Sequence, residues 1–236
     1  MTTARPAKPP APGAPAQPFF RLPDIPEKHP DDMTSVDSLH QYGAIANIAQ
    51  RLGHPDTTIV SAEHYVVPGP TYVAGESRYP DLLVAFGVDP AAYEASNGYI
   101  VPEQGKPPDF ILEVASRRTA SDDLAGKMDY YERMGVGEYW LFDRDGRFYG
   151  FTLRGYRLVD DKYEAIEIDE IAPGVFQGHS AALNLDLRAE NRYLGWHDPV
   201  TGEHVPTLPS ETARAEAAEA RVQELAAELH RLREGQ

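Results

Sequence analysis

The chain is expected to fold as a mixed α/β (α+β) domain built on a mixed sheet. Three features point to this class. Asp81–Phe86 and Asp109–Ser116 are near-continuous apolar runs opened by an acid, as expected of strands covered on both faces. A helical stretch, 121–134, separates the second run from another, Glu138–Asp143, and strand–helix–strand in that order implies a crossover within a mixed sheet. Alternating segments then follow, as in antiparallel hairpins.

Taken in chain order, residues 1–32 form a leader rich in Pro and Ala. Such a segment cannot bury a core, and disorder or polyproline II is expected, either as a solvated tail or as a docking tail. From Ser35 to Leu52 most apolar positions fit a helical period, with Thr34 or Ser35 as cap and Gly53 as stop. Thr58–Ala62 is short and β-branched. In the 121–134 helix, Ser121 is the expected cap, Asp122 and Asp123 suit the first turn, and Gly135 terminates it. Arg147–Leu153, Tyr156–Val159 and Tyr163–Ile168 read as antiparallel strands punctuated by Gly155 and Asp160–Asp161. Leu183–Leu187 and Tyr193–Trp196 close a domain spanning 33–200. Beyond Pro206 and Pro209, residues 210–234 carry Ala215, Ala218, Val222, Leu225, Leu229 and Leu232 at alternating three- and four-residue spacing. That is a coiled-coil seam, giving either a homodimer contact or a single solvated amphipathic helix.

Composition narrows the chemistry. The chain of 236 residues has no cysteine, so any metal is held by oxygen or imidazole ligands, which favours Mg2+ or Mn2+ over structural zinc. No run approaches the roughly 20 apolar residues of a membrane span, and a cytoplasmic protein is expected. The net charge of −15 argues against nucleic-acid binding through a general basic surface, but leaves open local handling of phosphodiesters through a metal ion.

Glu113 is the anomaly. A carboxylate inside a strand covered on both faces must be paired, protonated or metal-bound. Alternation places Ile111, Glu113 and Ala115 on one face and Leu112 and Val114 on the other. If Asp81 opens the neighbouring strand, the two carboxylates can converge at a sheet edge, a common way to hold Mg2+. Such an ion polarises a phosphoryl oxygen and acidifies water. Lys127, the only lysine between Lys106 and Lys162, lies on the following helix and can stabilise developing charge. The alternative for Asp81, Glu113 and Lys127 is a structural salt-bridge cluster. Around them, His40 and Asp123 are candidates for the site edge, as are Glu76 and Arg78. Ser116 is read as a turn or cap, Asp109 as a solvated strand end, Tyr130 and Tyr131 as packing, and Trp140 as core.

Tyr79-Pro80-Asp81-Leu82-Leu83-Val84, Pro107-Pro108-Asp109-Phe110-Ile111-Leu112-Glu113-Val114-Ala115-Ser116, Asp123-Leu124 through Lys127, Tyr130-Tyr131 and Gly135-Val136-Gly137-Glu138-Tyr139-Trp140-Leu141-Phe142-Asp143 follow one another in fixed order. Together they resemble the Uma2 family, a bacterial group catalogued both as a domain of unknown function and among restriction endonucleases, over roughly Thr34 to Pro199. The resemblance implies the PD-(D/E)XK nuclease superfamily and a restriction-endonuclease-like mixed central sheet flanked by helices. It implies Mg2+-dependent cleavage of DNA, with Asp81 as the PD aspartate and Glu113 as the second acid. The superfamily lysine two residues later is Ala115 here; Lys127 matches the helical position where Uma2-like sequences carry one. The competing function is an inactive nuclease-fold interaction module that oligomerises through the C-terminal helix.

Overall fold

The computed structural model describes residues 20–24, 48, 51–52, 56–69 and 77–205. The expectations for Thr34, Ser35, His40, Gly53, Glu76 and the 210–234 helix lie outside the described residues. Ile48, Arg51 and Leu52 are helical, within the first helix expected from the pattern.

The fold is mixed α+β. A six-stranded sheet runs in the order β1 (Thr58–Ser61), β3 (Leu82–Phe86), β5 (Phe110–Val114), β6 (Glu138–Phe142), β7 (Leu153–Val159), β8 (Lys162–Ile166). Its neighbours are antiparallel except β5 and β6, which are parallel. The crossover between them carries α3 (Ala120–Asp123) and α4 (Gly126–Met134). A second sheet orders β12 (Tyr193–His197), β11 (Leu185–Glu190), β10 (Val175–Ser180) and β9 (Ile168–Ala172). A short parallel pair joins β2 (Tyr65–Val67) to β4 (Gly98–Ile100), with α1 (Pro90–Ser96) and α2 (Val101–Gln104) on either side of β4.

The apolar runs became central strands because both faces are covered. Leu112, Val114, Trp140 and Phe142 pack against Leu185, Leu187 and Trp196 of the second sheet. Ile111, Ala115, Tyr139 and Leu141 pack against Tyr131 and Val136 on the crossover side. The two-residue alternation therefore puts Glu113 on the face covered by α4.

Five local expectations change. The 121–134 helix is broken at Leu124–Ala125, where Ala125 leaves helical geometry (φ −135°, ψ −74°) and Gly126 lets Asp122 approach; a Cβ there would overlap Asp122 Oδ1. The N-cap is Thr119, not Ser121, because Thr119 ends the turn leaving β5. Arg147–Leu153 is turn up to Thr152, since Asp143 collects its backbone amides. Gly155 does not punctuate: it lies inside β7 opposite Trp140, and a Cβ there would meet the indole at 2.9 Å. Within the stretch read as leader, Phe20–Asp24 is placed on the domain. Leu22 is buried with Tyr65, Val67 and Ile100, and its N–H donates to Ser96 O at 2.8 Å. No helix among the described residues is long and apolar enough to cross a membrane.

Candidate active site

Asp81 and Glu113 meet by register. Leu82 pairs with Leu112 across antiparallel β3 and β5, so Asp81 stands opposite Glu113 one step beyond. The half-buried Asp81 is oriented by its neighbour strand: Val114 N–H donates to Asp81 Oδ2 at 2.7 Å. Glu113, only 1% exposed, faces α4. There Lys127 Nζ donates to Glu113 Oε2 at 2.7 Å and Tyr131 OH to Oε1 at 3.0 Å. Lys127 and Tyr131 are four apart on one helix, so one helical face serves both carboxylate oxygens.

Lys127 has a second acid. Asp123 Oδ1 lies 2.8 Å from Nζ, and Asp123 is wholly buried. Its Oδ2 accepts from Thr119 Oγ1 at 2.9 Å and from Tyr149 OH at 2.7 Å, while its backbone carbonyl accepts from Tyr139 OH. Tyr149 arrives from a distant turn. Asp143 accepts from the N–H groups of Asp145, Phe148 and Tyr149, which fixes that turn.

The cluster is short of positive charge. Burial pushes Glu113 up to about 8; nearby Asp81 and Asp123 add to the rise, and Lys127 only partly opposes it. Burial would depress Lys127, but Glu113 and Asp123 outweigh it and hold the ammonium above the ordinary lysine range. Burial, reinforced by the adjacent carboxylates, also raises Tyr131 and Tyr149, which stay protonated donors.

The donors fit a hard cation that keeps part of its water. Two carboxylates at one sheet edge with excess negative charge suit Mg2+, which uses one or two carboxylates and retains several waters. Among the described residues no three His, Asp or Glu side chains gather closely enough to hold an ion alone, so water would complete the shell.

The remaining candidates separate. Asp123, expected at a helix start and at the site edge, is a buried member of the cluster. Tyr131 packs, as expected, and also serves Glu113. Tyr130 reaches Val66 O and lies beneath Arg78, whose guanidinium is 5.2 Å from the ring centroid and whose Nε is 3.8 Å from Asp122. Ser116 does shape the turn, through Thr119. Asp109 is no solvated end: it accepts from Phe86 N–H and binds Lys106 through both oxygens. Trp140 is core. Sequence reasoning missed Thr119, Tyr149, Asp143 and the buried Glu138. Glu138 carried a signal related to that of Glu113, an acid in an otherwise apolar strand, though it opens its strand where Glu113 lies within one; Tyr149 carried none.

Among solved structures, a crystal structure described as "a putative nuclease belonging to DUF820 from Anabaena variabilis ATCC 29413" aligns over 55% of this chain and 68% of that chain, at 17% identity and a TM-score of 0.36. No curated protein matches the chain. Residues 30–187 match the family model described as "Uma2: Putative restriction endonuclease". That stretch is well over half of the 236 residues, and the chain belongs to the Uma2 family.

Proposed function

We propose that this chain is a metal-dependent endonuclease that hydrolyses DNA phosphodiester bonds, with Mg2+ or alternatively Mn2+ held by Asp81 and Glu113. The observation that carries this reading is the convergence of Asp81, Glu113 and the Lys127 ammonium at one end of β3 and β5. When bound, the cation supplies Lewis acidity at a phosphoryl oxygen and acidifies water. Val114 N–H fixes Asp81, and Tyr131 orients Glu113. Lys127 presents a permanent positive charge to the anionic transition state. It does so from a helix, replacing the strand position that Ala115 occupies.

The test is cleavage of single-stranded, duplex and branched DNA with Mg2+ or Mn2+. Asp81→Asn and Glu113→Gln should each lower the rate by roughly a hundredfold or more, matching the several kcal/mol a metal ion supplies, with circular dichroism unchanged. A wild type that neither cleaves nor binds either cation by calorimetry overturns the reading.

DNA binding must be local in so acidic a chain. Arg117 and Arg118 are exposed on the turn that leaves β5 beside the cluster, and they neutralise phosphates in this reading. In the Asp81→Asn background, which permits binding without cleavage, adding Arg117→Ala and Arg118→Ala should flatten log Kd against log[salt] by about two, near 0.9 for each phosphate left without its arginine. An unchanged slope in fluorescence anisotropy removes the two arginines from the DNA-binding surface.

One observation favours a second reading, an inactive nuclease fold serving as an interaction module. Both Glu113 oxygens already have partners inside the protein, as in a structural ion-pair cluster. Cation binding by the wild type separates the two readings.

A further inference from the structure

Lys127 is shared between two carboxylates that are held very differently. Glu113 comes from the central strand, and its oxygens take Lys127 and one tyrosine hydroxyl. Asp123 is tied through Oδ2 and its carbonyl, while its buried Oδ1 meets only the Lys127 ion pair. It is four residues before Lys127, two hydroxyls hold its Oδ2, a third holds its carbonyl, and Oδ1 is left facing Nζ. One of those hydroxyls, from Tyr149, is delivered by a turn whose amides are gathered on Asp143. That is more preorganisation than a helix-start aspartate needs. It fixes the direction in which a lysine ammonium must lie.

We infer that Asp123, braced by Thr119 and the Asp143–Tyr149 turn, is the positioning residue for Lys127: it keeps the ammonium in the site when the Glu113 carboxylate is engaged elsewhere. The inference rests on the proposed nuclease reading, in which Glu113 turns to a cation and would otherwise release the lysine. It also accounts for a lysine carried by a helix. A lysine on a central strand is held by the strand itself, whereas one on α4 needs a fixed acceptor from the same crossover. Asp123 is then not a metal ligand, and Tyr149 acts through it rather than on substrate.

The decisive measurement is solvent exchange of the Lys127 ammonium protons, followed by NMR on full-length protein with 15N-labelled lysine side chains. The Lys127 resonance is assigned by its loss in Lys127→Met. Glu113→Gln and Asp123→Asn each replace one carboxyl partner of Lys127 by an amide, yet opposite outcomes are expected. Exchange stays within about twofold of wild type in Glu113→Gln, which takes the Glu113 carboxyl away as a partner of Lys127. It accelerates at least about tenfold in Asp123→Asn, and by a smaller factor in Tyr149→Phe, which deletes one hydroxyl and keeps the ring. Thermal melts establish that each variant is folded; should Asp123→Asn not fold, Tyr149→Phe decides alone. Equal exchange in the two amide variants, faster exchange in Glu113→Gln, or wild-type exchange in Tyr149→Phe overturns the inference. The outcomes are separable from the nuclease reading. Absence of cleavage and cation binding with the expected exchange pattern sinks the function and leaves the anchor, whereas cleavage with the wrong pattern sinks only the anchor.

Discussion

Lys127→Met should lower the unfolding free energy by about 3–5 kcal/mol near neutral pH, the cost of breaking a buried ion pair from one side. The methionine fills the space of the lysine stem but leaves Glu113 and Asp123 facing each other in a buried site with no cation between them. The pH dependence has a definite sign. Glu113 keeps its proton in the folded wild type up to about 8 against 4.5 unfolded. The folded state therefore binds more protons across that window, and the contribution of Glu113 is complete below 4.5 and lost as pH rises through 8. Lys127 is raised, so its contribution persists through this window and is lost only at more alkaline pH. Removing Lys127 takes away the positive charge that lowers Glu113, so Glu113 holds its proton to still higher pH in the variant. The folded variant and wild type therefore bind the same number of protons at Glu113 until pH nears 8, and the deficit of the variant should grow as pH rises above about 8. Urea unfolding at several pH values measures this. A pH-independent difference below about 1 kcal/mol would mean that the cluster does not depend on its lysine.

Glu138→Ala should be at least as damaging. The Glu138 carboxylate is buried in β6 and is satisfied by neutral donors. Trp140 Nε1 and Ser180 Oγ donate to Oε2 at 2.9 and 2.6 Å, and the Ala181 and Ala182 amides donate to Oε1 at 2.9 and 3.1 Å. Ser180 ends β10, and Ala181 and Ala182 lie in the turn that follows it, so Glu138 fastens the second sheet to the first. Truncation orphans four donors at about 1–3 kcal/mol each, a loss of at least about 4 kcal/mol. Glu138→Gln keeps the shape but turns one acceptor edge into a donor, and should cost roughly half as much. Chemical denaturation separates the two. A Glu138→Ala protein that unfolds at the wild-type midpoint would show that water replaces the carboxylate at no cost.

These two glutamates mark how far local pattern reaches. Both are visible as acids in apolar strands, because burying a carboxylate demands a partner wherever the strand ends up. The pattern does not say which partner. Glu113 finds a lysine and a tyrosine because its face meets α4; Glu138 finds a tryptophan, a serine and two amides because the β10–β11 turn folds back over it. Asp109 shows the converse. Its position at a strand start suggests solvation, yet Lys106 and the Phe86 amide tether it.

The central strands, the parallel crossover and the face on which Glu113 lies are legible in the residues alone. They follow from apolar runs, helix signals and the two-residue alternation of a strand, all of which act over a few neighbouring residues. The approach of Asp81 to Glu113 is legible too, since antiparallel strands opened and closed by acids can bring them level. Three features needed the packed molecule. Lys127 is divided between two acids, the crossover helix breaks to bury Asp123, and Tyr149 reaches that aspartate from a turn 26 residues away. Hydroxyl-to-carboxylate bonds leave no periodic trace. Their partners are chosen by which surfaces the packed sheets and helices bring within about 3 Å, and that depends on the whole chain at once.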